Sequence, residues 1–490
     1  MAQLPAIIPV SLLLSAFVAF LVGTFRRSLV YPITLLGIVT ALVAAVIGLI
    51  RVLQDGAQHY YFGGWPPPLG IEYVLDHLSG FMAVLVMFIA LLSVIYSRRS
   101  FLQEVPEKIV PLYSLISLML AGLTGIILTG DLFNLYVFLE IASLAAYAVM
   151  AIGNDKAPVA VIRYIIMGTI GACFYLLGVG FIYFATGSLN MGDVARILPS
   201  IYGSRLIVVA VTFIVIGMAL KMALFPLHIW LPDVYTYSPS AVIALIAPIM
   251  TKVGAYVLIR MLVSVFLPNY LTSVLPVTLI IGWLAAVGIV AMSVMAIAQK
   301  DFRRMLAYSS VAQICYVALG IGLANSFGLI GALLHVLNHA FMKCCLFQIS
   351  GGVRYRTGLW QIPQFAGLGR HMRWTMGTFT VAAISMVGIP PACGFFSKWY
   401  LVLGCIDAGN WVFAVVVVAS SLLNAVYFFR VLEKVYMVSP NNDSIVTTAS
   451  DPPGEMLAPM LILASGIIIL GVVNAVIVAQ ILEPIVSLAF

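Results

Sequence analysis

The sequence predicts an all-α, polytopic membrane protein with about fourteen transmembrane helices, and three observations carry that prediction. Hydrophobic residues make up 63% of the 490 residues and charged residues only 8%, with a mean hydropathy of +1.14. Such a chain lacks the polar residues needed to cover a soluble globule. Apolar runs of about twenty residues recur from end to end, each long enough to cross a hydrocarbon core of about 30 Å as a helix, the form in which a single segment satisfies its own backbone in lipid. Finally, the few charges divide into a loop population and a small set embedded in the apolar runs.

In chain order the spans are expected near residues 4–23, 29–53, 76–97, 109–128, 131–152, 162–186, 206–230, 239–263, 273–298, 304–323, 327–350, 373–404, 411–437 and 458–483. The first is expected to remain in place and not to act as a removable leader. Arg26 and Arg27 follow its apolar run instead of preceding it, and no small-residue cleavage site is evident. Basic residues such as Arg98, Arg99, Lys300, Arg304, Arg354, Arg356, Arg370 and Arg373 flank alternate loops on one side. The other side carries only Arg51, Arg196, Arg205 and Arg260. Under the positive-inside rule the basic side is cytoplasmic, which places both termini outside a cytoplasmic membrane.

The net charge of +7 is spread over these loops and forms no stripe with interleaved aromatics, so no nucleic-acid partner is expected. Cys173, Cys315, Cys344, Cys345, Cys393 and Cys405 all lie in apolar segments without paired-CxxC spacing. They read as small hydrophobes and not as metal ligands or disulfides.

Setting the loops aside leaves the residues that carry chemistry. In TGDLFNLYVFLEIASLAAYAVMAI, Glu140 sits near the middle of a span that opens with Asp131. A carboxylate there costs roughly 2.5–3.5 kcal/mol even on forgiving insertion scales. Lys221, Lys252, Lys343 and Lys398 also lie inside spans. His335 and His339 share a helix with Lys343 in HVLNHAFMK, at i, i+4 and i+8, which aligns the three side chains as one polar stripe. A lysine near a helix end can snorkel, and a lone buried histidine usually satisfies a backbone carbonyl. Several mid-membrane charges of opposite sign in neighbouring spans point instead to a relay. The HxxxH spacing is also compatible with a metal, but no carboxylate or cysteine stands in a comparable motif to complete a zinc shell, so no metal and no other cofactor is expected.

Two spans carry signs of broken helices. In ALKMALFPLHIWLPD, Pro226 cannot donate to the carbonyl of Met222, which frees a backbone oxygen one turn from Lys221, with His228 just beyond. In SMVGIPPACGFFSKWY, Pro390 and Pro391 free the carbonyls of Met386 and Val387, with Gly388 and Gly394 loosening the segment and Lys398 following. In lipid such breaks are tolerated only against protein or a water-filled cavity. A matching break-plus-lysine in two halves of one chain is the pattern of inverted repeats around a central ion path. The expected organisation is a single transmembrane domain: N-terminal helices at 1–108, a first five-helix repeat at 109–263, a second at 264–437, and a C-terminal loop and helix at 438–490.

GDLFNLYVFLEI, the run from Lys221 to Tyr256, QKDFRRMLAYSSVAQICYVALG, LLHVLNHAFMKCCLF and GIPPACGFFSKWYL together resemble the antiporter-like subunits shared by Mrp-type Na+/H+ antiporters, membrane-bound hydrogenases and respiratory complex I. The likeness is nearest to the D subunit of Mrp and its hydrogenase counterparts. It implies that Glu140, Lys221, Lys252, His335, His339 and Lys398 form a proton relay, with Asp131, His228 and Lys343 as accessory positions and Pro226, Pro390 and Pro391 at helix breaks. Some relatives carry glutamate where this chain has Lys398. The chain ends at Phe490, without the lateral helix of the distal complex I component or the extra domains of Mrp's largest member, its A subunit, so neither of those identities is expected.

Charge suggests how the relay works. A glutamate and a lysine about 4 Å apart attract by about 4 kcal/mol at an effective dielectric of 20, so pairing with Glu140 would hold Lys221 protonated until the pair opens and releases the proton toward Lys252. The histidines, which titrate near neutrality when unperturbed, suit a two-way step before Lys398. No nucleotide-binding glycine loop, nucleophile elbow or cluster-binding cysteine motif is present, so covalent chemistry is not expected of this chain. The driving energy would come from an ion gradient, as in an Mrp antiporter, or from electron transfer in partner subunits. Protons, sodium, lipid and other membrane subunits are the partners implied.

Overall fold

Twelve helices among the described residues are long and apolar enough to cross a membrane, and two further crossings are each built from a pair of shorter helices. The computed structural model describes residues 3–273, 275–439 and 444–487. The continuous helices of the first half are α1 (Leu4–Phe25), α2 (Val30–Asp55), α3 (His77–Glu104), α4 (Ile109–Leu128), α5 (Leu132–Met150) and α6 (Ala157–Thr186). The first interrupted crossing comprises α7 (Arg205–Lys221) and α8 (Leu231–Tyr237). Next come α9 (Ser240–Ile259), extended by a π-turn to Val265, then α10 (Val277–Ile297), α11 (Phe302–Gly322) and α12 (Ser326–Thr357). The second interrupted crossing is α13 (Arg373–Val387) with α14 (Cys393–Asp407), followed by α15 (Trp411–Tyr436) and α16 (Gly454–Val472). Twelve and two give the fourteen crossings expected.

Burial sorts these helices into a centre and a rim. The spans of α9 and α12 are buried on every side, and α11 and α3 nearly so. On α1, α2, α6, α15 and α16 most residues remain uncovered, as in helices that turn an apolar face to lipid. Small residues let backbones approach at the contacts, which is how membrane helices gain dispersion energy. A Cβ on Gly217 of α7 would sit 2.6 Å from the carbonyl oxygen of Gly171 on α6.

Local chemistry explains where helices begin. Asp131 and Asp301 accept from the third backbone N–H of α5 and α11, at 2.6 and 2.9 Å, which neutralises an orphan donor at each N-terminus. Glu104 at the end of α3 performs the same service for α9, taking the Ser240 N–H at 3.0 Å. One departure from an all-helical reading lies between α2 and α3, where β1 (Gln58–Tyr61) and β2 (Glu72–Leu75) pair antiparallel. Tyr60, Tyr61, Tyr73 and Val74 suit that short hairpin, since aromatic and β-branched residues favour strands.

Several boundaries differ from expectation, among them α3 and α12, which run on to Glu104 and Thr357. The last crossing begins at Gly454 and its regular part ends at Val472, after which short helical and π-turns carry the chain on. The seventh crossing is broken as expected but extends past 230, since its second helix begins only at Leu231. Its break also starts upstream of Pro226. Ala223 takes a positive φ of 59° and the Leu224 N–H turns back to the Ala219 carbonyl at 2.9 Å, so the helix has ended before the proline is reached. The Leu220 carbonyl is claimed by the Trp230 indole N–H at 3.2 Å.

The second break follows the prolines as expected. Gly388 closes α13 at φ 92°, and α14 restarts so close to α13 that a Cβ on Gly394 would lie 2.0 Å from the Ser385 carbonyl oxygen. Gly394→Ala is therefore expected to destabilise the protein by roughly 1–3 kcal/mol, seen as a lower thermal midpoint in detergent. An unchanged midpoint would mean that the two half-helices separate freely.

Candidate ion-relay site

The second interrupted crossing places a lysine against bare backbone. Lys398, one and a half turns into α14, donates to the carbonyls of Met386 and Val387, both at 3.0 Å, and to Ser421 Oγ at 3.1 Å. These are the two oxygens that Pro390 and Pro391 leave without their helical donors. Lys221, the last residue of α7, donates instead to Ser143 Oγ on α5 at 2.9 Å. A cavity of about 30 Å³ beside it is lined by Lys221, Ser143 and Tyr164 and by Met250, Val253, Gly254 and Val257 of α9. That volume accommodates a water molecule.

Glu140 does not pair directly with Lys221. Among the described residues no ion pair joins them, and one oxygen of the half-buried Glu140 carboxylate has no hydrogen-bond partner. The expected contact is corrected for a geometric reason. Ser143 stands one turn beyond Glu140 on α5 and takes the ammonium itself, so the carboxylate acts on Lys221 through space.

The centre holds the rest. Lys252 on α9 is 1% exposed. Its ammonium bonds the Ala247 carbonyl at 2.8 Å and Thr251 Oγ1 at 3.4 Å. It lies within electrostatic reach of His335, His339 and Lys343 on α12. The two histidine rings stack at 5.7 Å. His335 Nδ1 meets Ser397 Oγ at 2.9 Å, one residue before Lys398, and its ring also lies 5.3 Å from that of Tyr316. Lys398 in turn sits 5.3 Å from the centre of the Tyr316 ring. Lys252, His339, His335, Ser397 and Lys398 therefore form a file across the buried core. Lys343, at the far end of the stripe, donates to the Leu306 carbonyl at 2.9 Å and to Ser309 Oγ.

The remaining candidates have more local partners. Asp131 caps α5, a structural role at the end of its span. His228 lies within the first break, stacked on Phe225 at 5.5 Å with its Nδ1 unpartnered. Among the described residues no group of three His, Cys, Asp or Glu side chains is placed to hold a metal ion.

Several partners escaped the sequence reading because they carry no charge. Ser143, Ser397, Ser421 and Asn338 look ordinary in an apolar chain; Asn338 ties α12 to the Cys393 carbonyl of α14 at 2.7 Å. The signal available was spacing, since Ser309, Gln313 and Tyr316 recur at i, i+4 and i+7 on α11, opposite the histidine stripe. Arg260, assigned to a loop, forms a bidentate pair with Asp76 at 2.6 and 2.8 Å. Burial alone would raise the Asp76 carboxyl, but the guanidinium holds it below its ordinary range.

A multi-pass helical bundle with a buried file of lysines and histidines, interrupted at two matching helix breaks, defines a class of ion-translocating membrane proteins. The family described as NADH:quinone oxidoreductase/Mrp antiporter, TM, matches residues 129–424, and the chain belongs to it. The NADH-quinone oxidoreductase subunit N of Desulforudis audaxviator is 47% identical over 98% of both chains. The D subunit of the Na(+)/H(+) antiporter of Alkalihalophilus pseudofirmus is 30% identical over 94% of this chain and 93% of its own. The expected likeness to the D subunit of Mrp is thus found, alongside a higher identity to a subunit N. Among solved structures, a chain of the membrane-bound sulfane sulfur reductase, an archaeal respiratory membrane complex, superposes with a TM-score of 0.90 at 29% identity, covering 100% of both chains.

Asp131→Ala is expected to cost about 1 kcal/mol through the lost cap, read as a lower thermal midpoint, while ion movement per assembled protein stays at the parental level. Lost transport at unchanged stability would return Asp131 to the relay.

Proposed function

We propose that this chain is a proton-translocating subunit of a multisubunit complex in the cytoplasmic membrane, moving protons along Glu140, Lys221, Lys252, His339, His335 and Lys398. The observation that carries the reading is the buried file from Lys252 to Lys398, whose lysines and histidines bond neutral partners only. A proton can leave such a lysine without stranding a buried carboxylate, the costly outcome of breaking a buried ion pair. His335 is fixed at one nitrogen by Ser397 and free at the other, the arrangement that a two-way proton carrier requires. Glu140 then sets the charge of Lys221 from a distance. The matching breaks, each with its lysine, support the division into two inverted five-helix repeats at 109–263 and 264–437.

The 47% identity to a subunit named for NADH-quinone oxidoreduction, together with the likeness to a respiratory reductase complex, favours electron transfer in partner subunits as the energy source over an existing sodium or proton gradient. Ion movement in membrane vesicles, normalised to assembled complex, tests both statements. Lys398→Ala and Glu140→Gln are each expected to abolish transport with assembly intact, and the parent should respond to an electron donor more than to an imposed sodium gradient. Parental transport by Glu140→Gln would remove the glutamate from the mechanism. A sodium-gradient response larger than the donor response would favour the antiporter reading.

Orientation follows from the basic loops. Reporter fusions at residues 98–99 and 354–356 are expected to read cytoplasmic, and one in the Trp65–Gly70 loop to read external; the reverse pattern would invert the topology.

A further inference from the structure

Among the described residues a concentration of unpartnered polar atoms lies between α11 and α12. Both ring nitrogens of His339, both amide atoms of Gln313 and Nε2 of His335 lack a hydrogen-bond partner in the protein. All three side chains are fully buried. The helices run antiparallel, and two contacts fix their register: Ser309 with Lys343 near one end, Tyr316 with His335 at the other. Gln313 lies between Ser309 and Tyr316 on the same face of α11, and His339 lies between Lys343 and His335 on α12. The register therefore sets the amide of Gln313 opposite the imidazole of His339.

Burying such groups unpaired is costly, and buried waters typically satisfy about three otherwise unpaired polar groups each. We infer that Gln313 is a further positioning residue of the relay, holding with His339 a water molecule that carries the proton between His339 and His335. This rests on the relay reading above. In the step itself, protonated His339 gives a ring proton to the water oxygen as the water gives one of its own hydrogens to His335 Nε2. The water returns to neutrality, His339 is left neutral and His335 becomes the cation; Gln313 changes no bond and keeps the water aligned. The reverse step balances in the same way.

The register gives a test that separates this role from packing, because leucine matches glutamine in size but cannot bind water, whereas asparagine is smaller but keeps the amide. In assembled complex, Gln313→Leu is expected to lower transport in vesicles by roughly a hundredfold, the usual worth of a positioned proton-transfer group, while Gln313→Asn retains most of it. Gln313→Met serves as a second apolar variant should Gln313→Leu fail to assemble. Parental transport by the apolar variant, or equal loss in the apolar and asparagine variants, would overturn the water bridge. His339→Ala is measured alongside: if it transports like the parent, the relay reading falls too, whereas its loss beside an unaffected Gln313→Leu removes only the bridge.

Discussion

Inside hydrocarbon every backbone carbonyl needs a donor, and the second break of this protein is organised around two carbonyls that their own helix has abandoned. At the second break, Met386 and Val387 lose their donors to the prolines, and the Lys398 ammonium supplies the missing bonds. The dependence runs both ways. A bare ammonium at that depth would be prohibitive, and the freed carbonyls are what solvate it.

The same exchange recurs in the continuous helices. Pro248 inside α9 leaves the Ala244 carbonyl without its helical donor, and the Ser93 hydroxyl of α3 reaches it at 3.3 Å. On the same helix Lys252 bonds the Ala247 carbonyl, and Lys343 borrows the Leu306 carbonyl of α11. Three of the four membrane lysines are thus held by backbone oxygens, and the fourth, Lys221, by a serine. Backbone dipoles stabilise a charge without themselves carrying a net charge.

The fold was legible because its signals are long and redundant. Twenty-residue apolar runs, proline pairs and misplaced lysines leave little choice of architecture, and Pro390 and Pro391 identify the very carbonyls that Lys398 reaches. The first break was less legible because Pro226 lies inside the interrupted stretch, while Ala223 and the Trp230 indole, neither of them a recognised breaker, determine where the helix ends. The direct Glu140–Lys221 contact failed for a related reason. Opposite charges can be inferred to attract from a sequence, but a serine one turn away that takes the ammonium first is visible only in three dimensions. The hairpin between α2 and α3 was missed because its strands are four residues each, too short for alternation to stand out.

The contrast between the two kinds of charge completes the account. Asp76 and Arg260 meet in a bidentate pair, further held by Tyr256, and that geometry fixes the start of α3 to the end of α9. Such a pair is strong because both partners stay ionised, and for the same reason it cannot pass a proton on without leaving its counter-charge exposed to a poor solvent. Tight pairing at the end of the bundle and neutral partners in its middle are therefore two uses of one rule. Charges that hold the helix ends together are locked to each other, and among the described residues those along the central file are bound to neutral dipoles.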